Sequence, residues 1–368
     1  MTKVIISGGG TGGHIFPAIA IGKAIQKQSP EVEILFIGAK GRMEMEKVPA
    51  AGFRIIGLPV TGFQRRFTLK NIVFPFRLIA SLVKARYSLL RFSPDVVIGV
   101  GGYASGPTLR MASSMGIPTL IQEQNSFPGI TNKILAGKVS RICVAYDGME
   151  KYFPAEKILI TGNPVREDIL QTKSGNPLAY DHFGLDPSKK TVFITGGSLG
   201  AGTINESILS CIGMNLDKEF QFLWQTGKNY YESILVHLSD GRYPNVKVHA
   251  FIDRMDYAYS CADLVISRAG ALAISEICVA GKPSILIPSP NVAEDHQTRN
   301  AKALEGKNAA VFLKDAEAKE KLHSLIRPLI NDVNRLSELS RNVSKLAITD
   351  AADRIASEAL SLVNKKVK

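Results

Sequence analysis

The chain has 368 residues, of which 45% are hydrophobic and 21% are charged, and its formal net charge is +12. The four cysteines are scattered without a CxxC pair, which predicts reduced thiols rather than a disulfide framework or a zinc site. No run approaches the ~18 apolar residues of a membrane-spanning helix, and the first residues form a strand pattern instead of a signal peptide. The composition is that of a globular protein, the cysteines indicate a cytosolic one, and at roughly 150 residues a domain the length predicts two domains.

The positive charge is concentrated in the first half of the chain. Residues 1–162 contain 20 Lys and Arg against 9 Asp and Glu, whereas residues 163–368 contain 25 against 24. This asymmetry indicates that the first half faces an anionic surface, either a membrane or a nucleic acid.

The first stretch is a β-branched run followed by five glycines within the six residues from Gly8 to Gly13, and then by a helical pattern. A strand, a glycine turn and a helix in this order are typical of phosphate-binding sites, because glycine allows close backbone approach and helix N-termini attract anions. Gly8, Gly10 and Gly13 also match the dinucleotide fingerprint, which is a weak signal by itself. His14 adds an imidazole at the mouth of this loop.

Apolar runs and helical patterns alternate through the rest of the first half. Strands are predicted at 3–7, 32–38, 54–58, 95–100, 117–122 and 141–145, and helices at 14–28, 42–50, 70–91, 105–115 and 129–137. Strands separated by helices form a parallel sheet, and ligands bind at the carboxyl ends of its strands. Glycine-rich or polar tips at 8–14, 101–106 and 122–125 are therefore expected on the ligand edge.

The second half repeats this layout after a predicted hinge at 158–166. Strands are predicted at 191–195, 220–225, 246–250, 264–266, 284–287 and 310–313, and helices at 203–214, 316–330, 334–346 and 350–363. A second glycine loop follows the first of these strands, and the polar stretch 172–190 is predicted to be a loop. The fold class is thus α/β, with two Rossmann-like doubly wound domains and a ligand cleft between them. The predicted domains are 1–162, with 350–368 packing back on it, and 163–349.

Residues 63–92 contain seven Lys and Arg, no acidic residue, and many interleaved apolar side chains. A basic helix with a large apolar face can lie on an anionic membrane. An ordinary surface helix with a basic outer face is the alternative. Nucleic acid is disfavoured as a partner because no recognised nucleic-acid motif is present.

The stretch 267–276 follows a strand and contains small residues that open a helix, which again offers backbone donors to a diphosphate. Glu276 follows in that helix, where its carboxylate could accept from hydroxyl groups or simply complement the helix dipole. The chain has no Asp-x-Asp motif to hold a metal on donor phosphates. Helix N-termini and a cation, Arg166, would then stabilise a leaving diphosphate. A hinge salt bridge is the alternative role of Arg166.

Seven motifs in order along the chain resemble the MurG family of peptidoglycan N-acetylglucosaminyltransferases. They are GGGTGGHIFPA, GVGGYASGP, QEQNSFPGITNK, GNPVR, GGSLGAG, SRAGALAISE and EDHQTRNA. The resemblance implies the GT-B fold and the inverting transfer of GlcNAc from UDP-GlcNAc to the C4 hydroxyl of undecaprenyl-diphospho-N-acetylmuramoyl-pentapeptide (lipid I), giving lipid II. It implies no cofactor and no metal, and a peripheral location on the cytoplasmic side of the plasma (inner) membrane. Cell-wall synthesis proteins are candidate partners.

The resemblance also implies roles for individual residues. Glu276 and Arg166 are candidate catalytic residues. His14 is the candidate base, or orients the acceptor, because an imidazole with an unperturbed pKa near 6.5 suits proton removal at cytoplasmic pH. The positions expected to contact UDP-GlcNAc are Thr11, Gly12, Gly13, Asn125, Arg166, Ser198, Ile252, Ala271, Leu272, Ala273, Ile274, Ser275, Glu276 and Gln297. His296 stands where some relatives have glutamine, and the first glycine loop could serve the donor, the acceptor or both.

Three other functions remain open from the sequence. Another GT-B enzyme, such as a UDP-GlcNAc 2-epimerase, would share the fold. An NAD-dependent dehydrogenase is disfavoured because the second predicted strand ends at Ile37-Gly38-Ala39-Lys40, without an acid to hold a ribose. A nucleotide-binding regulator would bind UDP-GlcNAc without turnover. His14 itself could cap its loop rather than act as the base, in which case Glu123 is the second candidate base.

Overall fold

The computed structural model describes residues 1–60, 69–239, 241–292 and 295–366, with side chains described for all of these except 69–72 and 365–366. Contacts divide the chain into two compact units. Unit 1 comprises Met1–Arg166 and Thr349–Lys368, and unit 2 comprises Glu167–Ile348.

Unit 1 is a parallel seven-stranded sheet with helices on both faces, in the strand order β3-β2-β1-β4-β5-β6-β7. Its strands are β1 (Lys3–Ser7), β2 (Glu33–Ala39), β3 (Arg54–Leu58), β4 (Val96–Gly99), β5 (Thr119–Glu123), β6 (Arg141–Val144) and β7 (Ile158–Ile160). Its helices are α1 (Gly12–Gln28), α2 (Glu44–Ala50), α3 (Leu69–Phe92), α4 (Ser105–Ser114), α5 (Ile130–Leu135) and α15 (Ala351–Lys366).

Two hydrophobic clusters cover the two faces of this sheet. One joins strand side chains to α1 and α15, and the other joins them to α3, α4 and α5. The C-terminal helix α15 lies on α1, with Ile355, Ala356 and Ala359 fully buried. Both faces of a parallel sheet need such covers, since its strands are apolar on both sides.

Unit 2 is a parallel six-stranded sheet in the order β10-β9-β8-β11-β12-β13. Its strands are β8 (Thr191–Thr195), β9 (Gln221–Gln225), β10 (Val246–His249), β11 (Leu264–Ser267), β12 (Ser284–Leu286) and β13 (Val311–Phe312). Its helices are α6 (Glu167–Leu170), α7 (Pro177–Phe183), α8 (Gly202–Gly213), α9 (Tyr231–His237), α10 (Met255–Cys261), α11 (Ala271–Ala280), α12 (His296–Glu305), α13 (Ala318–Asn331) and α14 (Val333–Ser344).

These two sheets confirm the α/β class and the doubly wound topology of each half. In both sheets the strand order reverses beside the first strand of the unit, β1 or β8, where a glycine loop follows. Ligands of open α/β sheets bind at such switch points.

The prediction that 172–190 is a loop was wrong, because α7 occupies the middle of that segment. Asn176 accepts a hydrogen bond from the Leu178 amide at 3.1 Å and Gly184 ends the helix at φ 61°. Only Ala179 and Phe183 are buried, so the helix presents too few apolar residues for its period to stand out.

The division of the chain also falls four residues later than the predicted 162. Asn163 is buried and its side chain accepts from Gln122 Nε2 at 3.1 Å and donates to the Gln124 carbonyl at 3.1 Å. These bonds hold the segment up to Arg166 on the sheet edge of unit 1.

Candidate active site

In unit 1, the first glycine loop and the loop after β4 pack directly against each other. Gly102 has φ +84°, and a Cβ built on it would lie 2.1 Å from the Gly9 carbonyl oxygen. Gly101 has φ +92°, and its Cβ would lie 2.6 Å from Cδ2 and 2.8 Å from Nε2 of His14. Only glycine fits such an approach, so both residues are needed to bring the two loops together.

His14 is half-buried in the first turn of α1, with Nδ1 3.3 Å from Thr11 Oγ1. Desolvation lowers the pKa of His14 below its usual 6.5, and the opposing effects of Glu123, the Gly9 backbone and Glu44 are smaller. The imidazole is therefore neutral at pH 7, which is the form that can accept a proton. The ring contacts Thr11 Oγ1 and the Gly9 backbone, and the accepting atom is the ring nitrogen that carries no proton.

The helix start that carries His14 offers backbone donors. Thr11 is the N-cap residue, but its side chain makes no capping hydrogen bond, and Thr11 and Gly13 are exposed. Arg166 lies at the same place, with its guanidinium carbon 4.9 Å from the ring centre of Phe16 in α1. Four predicted residues, Thr11 to His14, thus share one helix turn with Arg166 beside it.

Sequence reasoning missed Glu44, which anchors the first glycine loop. Glu44 is 1% exposed, and its carboxylate accepts from the amides of Gly10 at 3.0 Å and Ala39 at 2.9 Å. The sequence shows only an acidic residue in the first turn of a short helix, which is common for dipole reasons alone. The contact with Gly10 spans 34 residues, so no local pattern reveals it.

Replacing Glu44 with alanine should destabilise the protein by about 2–5 kcal/mol, because it removes the acceptor of one buried and one part-buried amide and opens a cavity. Glu46→Ala is the matched control, since Glu46 is an exposed residue of the same helix. Denaturant unfolding of both variants measures the difference. Equal midpoints for the two variants would show that Glu44 does not hold the loop.

Glu123, the second candidate base, is a structural anchor in this molecule. It is 2% exposed, and each of its oxygens accepts two hydrogen bonds, from donors at 2.8–3.2 Å. The donors are the Asn125 amide and side chain, the Gly129 amide and the Asn132 side chain. These bonds shape the tip after β5 and fix Asn125, whose side-chain nitrogen is held by Glu123.

In unit 2, the predicted donor residues follow the carboxyl ends of neighbouring strands. Because the strands are parallel, their following loops share one edge of the sheet. Ser198 follows β8, Ile252 follows β10, Ala271 to Glu276 follow β11, and Gln297 follows β12. The structure thus brings the second set of predicted residues to one edge, as it brings the first set together in unit 1.

Gln225, the last residue of β9, ties two of these loops together, those after β8 and β10, and was not predicted. Its side-chain nitrogen donates to Thr195 Oγ1 at 3.0 Å and to the Gly197 carbonyl at 3.1 Å. Its side-chain oxygen accepts from the Ile252 amide at 2.8 Å. The amide of Ile252 is therefore engaged within the protein, which leaves its carbonyl as the backbone group to recognise a base.

Helix α11 begins at Ala271, and its N-cap residue is Gly270, which has no side chain to cap the first amides. Glu276 is the sixth residue of the helix and is 7% exposed, and it accepts from the Tyr259 hydroxyl at 3.3 Å. Gln297 is half-buried and accepts from the Ser289 amide at 2.9 Å through its side-chain oxygen. Its side-chain nitrogen is the group expected to meet a sugar.

Neither a metal cluster nor a reactive thiol is found in the described parts of the chain. No three His, Cys, Asp or Glu side chains of the described residues lie close enough to hold a metal ion. All four cysteines are buried and unpaired, and burial raises the pKa of each thiol to about 12, so these thiols are protonated and unreactive at pH 7.

Comparison with known proteins agrees with this geometry. The profile of the glycosyltransferase family 28 N-terminal domain matches residues 4–144, and that of the family 28 C-terminal domain matches residues 191–355. A Parabacteroides distasonis protein is 55% identical over 99% of both chains. It is named UDP-N-acetylglucosamine–N-acetylmuramyl-(pentapeptide) pyrophosphoryl-undecaprenol N-acetylglucosamine transferase.

Two solved structures share the fold. The crystal structure of Acinetobacter baumannii MurG matches 98% of this chain and 100% of its own, with a TM-score of 0.73 and 29% identity. The Neisseria meningitidis UDP-GlcNAc 2-epimerase, solved with UDP-GlcNAc, covers the same shares with a TM-score of 0.71 and 14% identity. The second likeness shows the fold alone. With both domain profiles matched and a relative aligned end to end at 55% identity, the chain belongs to glycosyltransferase family 28.

Proposed function

We propose that this protein transfers N-acetylglucosamine from UDP-GlcNAc to the C4 hydroxyl of the muramoyl sugar of lipid I, giving lipid II for peptidoglycan synthesis. The observation that carries the proposal is the end-to-end likeness, at 55% identity, to a transferase named for this reaction. The neutral His14 at the end of the first glycine loop supplies the base that such a transfer needs.

In the proposed reaction, the C4 hydroxyl oxygen attacks the anomeric carbon of GlcNAc while the bond from that carbon to the UDP oxygen breaks. Nε2 of His14 takes the hydroxyl proton, and the new linkage is β-1,4 with inversion at the anomeric centre. The absence of a side chain at Gly101 leaves space against Nε2, because a Cβ there would lie 2.8 Å from that atom. His14 and the first loop are thereby assigned to the acceptor.

Unit 2 is assigned to the donor. The carbonyl of Ile252 would meet the uracil, Glu276 the ribose, and the amides that begin α11 the diphosphate. Ser198 and the Arg166 guanidinium would neutralise the negative charge that develops on UDP as it leaves. No step in this scheme uses a metal ion or a cofactor.

The decisive experiment incubates the protein with UDP-[14C]GlcNAc and a lipid I analogue, and separates the lipid and nucleotide products. Transfer of label to the lipid supports the proposal. Formation of UDP-N-acetylmannosamine without acceptor would instead show an epimerase. Binding of UDP-GlcNAc without either product would show a nucleotide-binding regulator.

Helix α3 supports a location at the membrane surface. No helix in the described ranges is long and apolar enough to cross a bilayer. One stripe of α3 nevertheless exposes large apolar side chains at 45–71% of their surface, namely Val73, Phe76, Ile79, Val83, Tyr87 and Leu90. Arg77, Arg86 and Arg91 are exposed on the same helix. Residues 63–68, the first part of the segment predicted to dock on the membrane, lie outside the described residues. We assign α3 to peripheral docking on the anionic cytoplasmic leaflet, where cell-wall synthesis proteins are candidate partners.

Reversing the charge of Arg77 and Arg86 to glutamate should release the protein from vesicles that contain anionic lipid. Each basic residue near the surface contributes about 1 kcal/mol, so losing two attractions lowers partitioning by about 30-fold or more. Lys84 is left unchanged because its amine donates to the Gly57 carbonyl at 2.8 Å. Vesicle co-sedimentation at low and high salt measures the effect.

The control for this experiment is Arg341→Glu with Lys345→Glu, which makes the same change in net charge on two exposed residues of unit 2, one in α14 and one at its C-cap. That variant should bind vesicles nearly as well as the native protein. Undiminished binding by a folded Arg77/Arg86 variant, or equal loss in both variants, would contradict docking through α3.

A further inference from the structure

A surface cavity of about 430 Å³ lies in unit 2, away from the edge assigned to the donor. Lys190, Asp263 and Lys282 line it. Lys190 and Asp263 come directly before β8 and β11, and Lys282 comes two residues before β12. The donor residues follow the opposite ends of these strands. With a rise of about 3.3 Å per residue, a strand of four or five residues puts the two edges ~15 Å apart.

Lys282 is a buried ammonium in the wall of this cavity, with 5% of the residue exposed. Within the described part of the chain its amine donates to Ser174 Oγ at 2.8 Å and to the Ala262 carbonyl at 2.9 Å, both uncharged oxygens. The carboxylate of Asp263 accepts from Lys190 Nζ at 2.9 Å and from the Thr191 amide at 2.8 Å, so each of its oxygens already has a donor. Buried charges in proteins are normally paired, and this ammonium has only neutral hydrogen-bond acceptors.

The other walls of the cavity suit an oxyanion. Tyr180 and Ser337 bring hydroxyl groups to the lining, as does Ser340, whose hydroxyl already donates to the Gly281 carbonyl at 2.7 Å. Asp263 is the only carboxylate among the described lining residues, against two lysines. Hydroxyl and ammonium donors around a polar space are the groups that recognise phosphate or carboxylate.

We propose that this cavity binds a small oxyanion, the phosphate or carboxylate group of a metabolite, with Lys282 as its counter-ion. The occupant would link α14, the segment at Ser174 and the amino ends of the strands within unit 2. Such a site is separate from donor binding and from the transfer reaction, and its occupancy would stabilise unit 2 by mass action.

The charge of Lys282 gives the site a pH dependence. Burial lowers the pKa of Lys282 to about 8, and the charges of Asp263 and Cys261 oppose that shift only in part. Lys190 and Tyr180 are the other titratable groups that face the cavity. Anion binding should therefore weaken as pH rises through 8, because the ammonium loses its proton.

Sulfate is the probe for the test, since its charge is constant between pH 7 and pH 9. The full-length protein is titrated with sulfate by calorimetry at constant ionic strength, with UDP present to occupy any nucleotide site. We expect saturable binding at pH 7, about tenfold weaker binding at pH 9, and at least tenfold weaker binding at pH 7 for Lys282→Met. Lys189→Met is the matched control, because Lys189 is exposed beside the cavity without lining it, and it should stay within twofold of the native protein.

Further titrations with phosphate and with acetate distinguish the two oxyanion classes, and whichever binds more tightly identifies the class of the natural ligand. Absence of saturable sulfate binding at pH 7, binding unchanged by Lys282→Met, or binding independent of pH would each overturn the proposal. If Lys282→Met does not fold, the pH dependence of the native protein decides. None of these outcomes depends on whether GlcNAc is transferred to lipid I, so the two proposals fail separately.

Discussion

Replacing His14 with alanine should lower the turnover of UDP-GlcNAc and lipid I by about 100- to 10,000-fold, while the affinity for UDP-GlcNAc changes little. The C4 hydroxyl is a poor nucleophile until its proton is removed, and in the proposed reaction the imidazole takes that proton. The ring is fixed by Thr11 on one side and by the backbone of Gly101 on the other. A positioned base contributes to the rate of the chemical step and not to donor binding.

The pH profile provides a second test of His14. Desolvation lowers its pKa, so more than half of the imidazole is neutral at pH 6.5, where an ordinary histidine would be half protonated. The acid limb of the rate profile should therefore lie below pH 6.5. The free energy of unfolding should also fall as the pH falls below about 6.5, because the unfolded chain binds the proton more readily than the folded chain does. His14→Ala should therefore lose less stability than the native protein as the pH falls.

The control for His14 is His237→Ala, since His237 is an exposed residue of α9 in unit 2. It should keep full turnover and an unchanged melting temperature. If His14→Ala keeps turnover within about tenfold, His14 is not the base. If it instead melts much earlier and binds the donor poorly, then His14 has the structural role of a loop cap. Neither result would transfer the role to Glu123, whose oxygens already accept four hydrogen bonds.

Glu276→Ala should weaken UDP-GlcNAc binding by about one to two orders of magnitude. A hydrogen bond from a ribose hydroxyl to a carboxylate contributes about 1.5–3 kcal/mol, and the alanine variant loses it. The carboxylate is buried near the start of α11, so water would replace that bond poorly. Calorimetric titration with UDP-GlcNAc gives the loss directly.

A donor with a deoxyribose separates recognition from structure. If Glu276 binds the ribose, the penalty for Glu276→Ala should shrink when the hydroxyl is missing from the donor. Tyr259→Phe is the matched variant, because it removes the hydroxyl that Glu276 accepts from at 3.3 Å and leaves the carboxylate in place. It should bind UDP-GlcNAc within a few-fold of the native protein. Equal penalties for both donors would assign Glu276 to the helix and its contact with Tyr259.

The sequence by itself determined the two doubly wound units and the glycine loops at strand ends. Runs such as Val4 to Ser7 before a glycine turn are local patterns. The spacing of their apolar residues predicts strands and helices without any knowledge of long-range contacts. The basic, acid-free composition of α3 was also evident from the sequence, because charged and apolar residues can be counted without knowing the tertiary contacts. The prediction for the segment containing α7 was wrong because only Ala179 and Phe183 are buried, which is too few apolar residues to show a helical period. The capping residues Asn176 and Gly184 were the better signal of a helix.

Tertiary structure alone decided which polar side chains hold the loops in place. Glu44 reaches the first loop across 34 residues, and Gln225 reaches Ile252 across 27. Glu123 was a candidate base by sequence, yet four donors make it an anchor. Lys282 showed no special pattern, and its burial depends on how α11, α14 and the segment at Ser174 meet. Burial and hydrogen-bond satisfaction are set by residues distant in the chain, and these properties decide whether a carboxylate or an amine is free to react, binds a ligand or supports a loop.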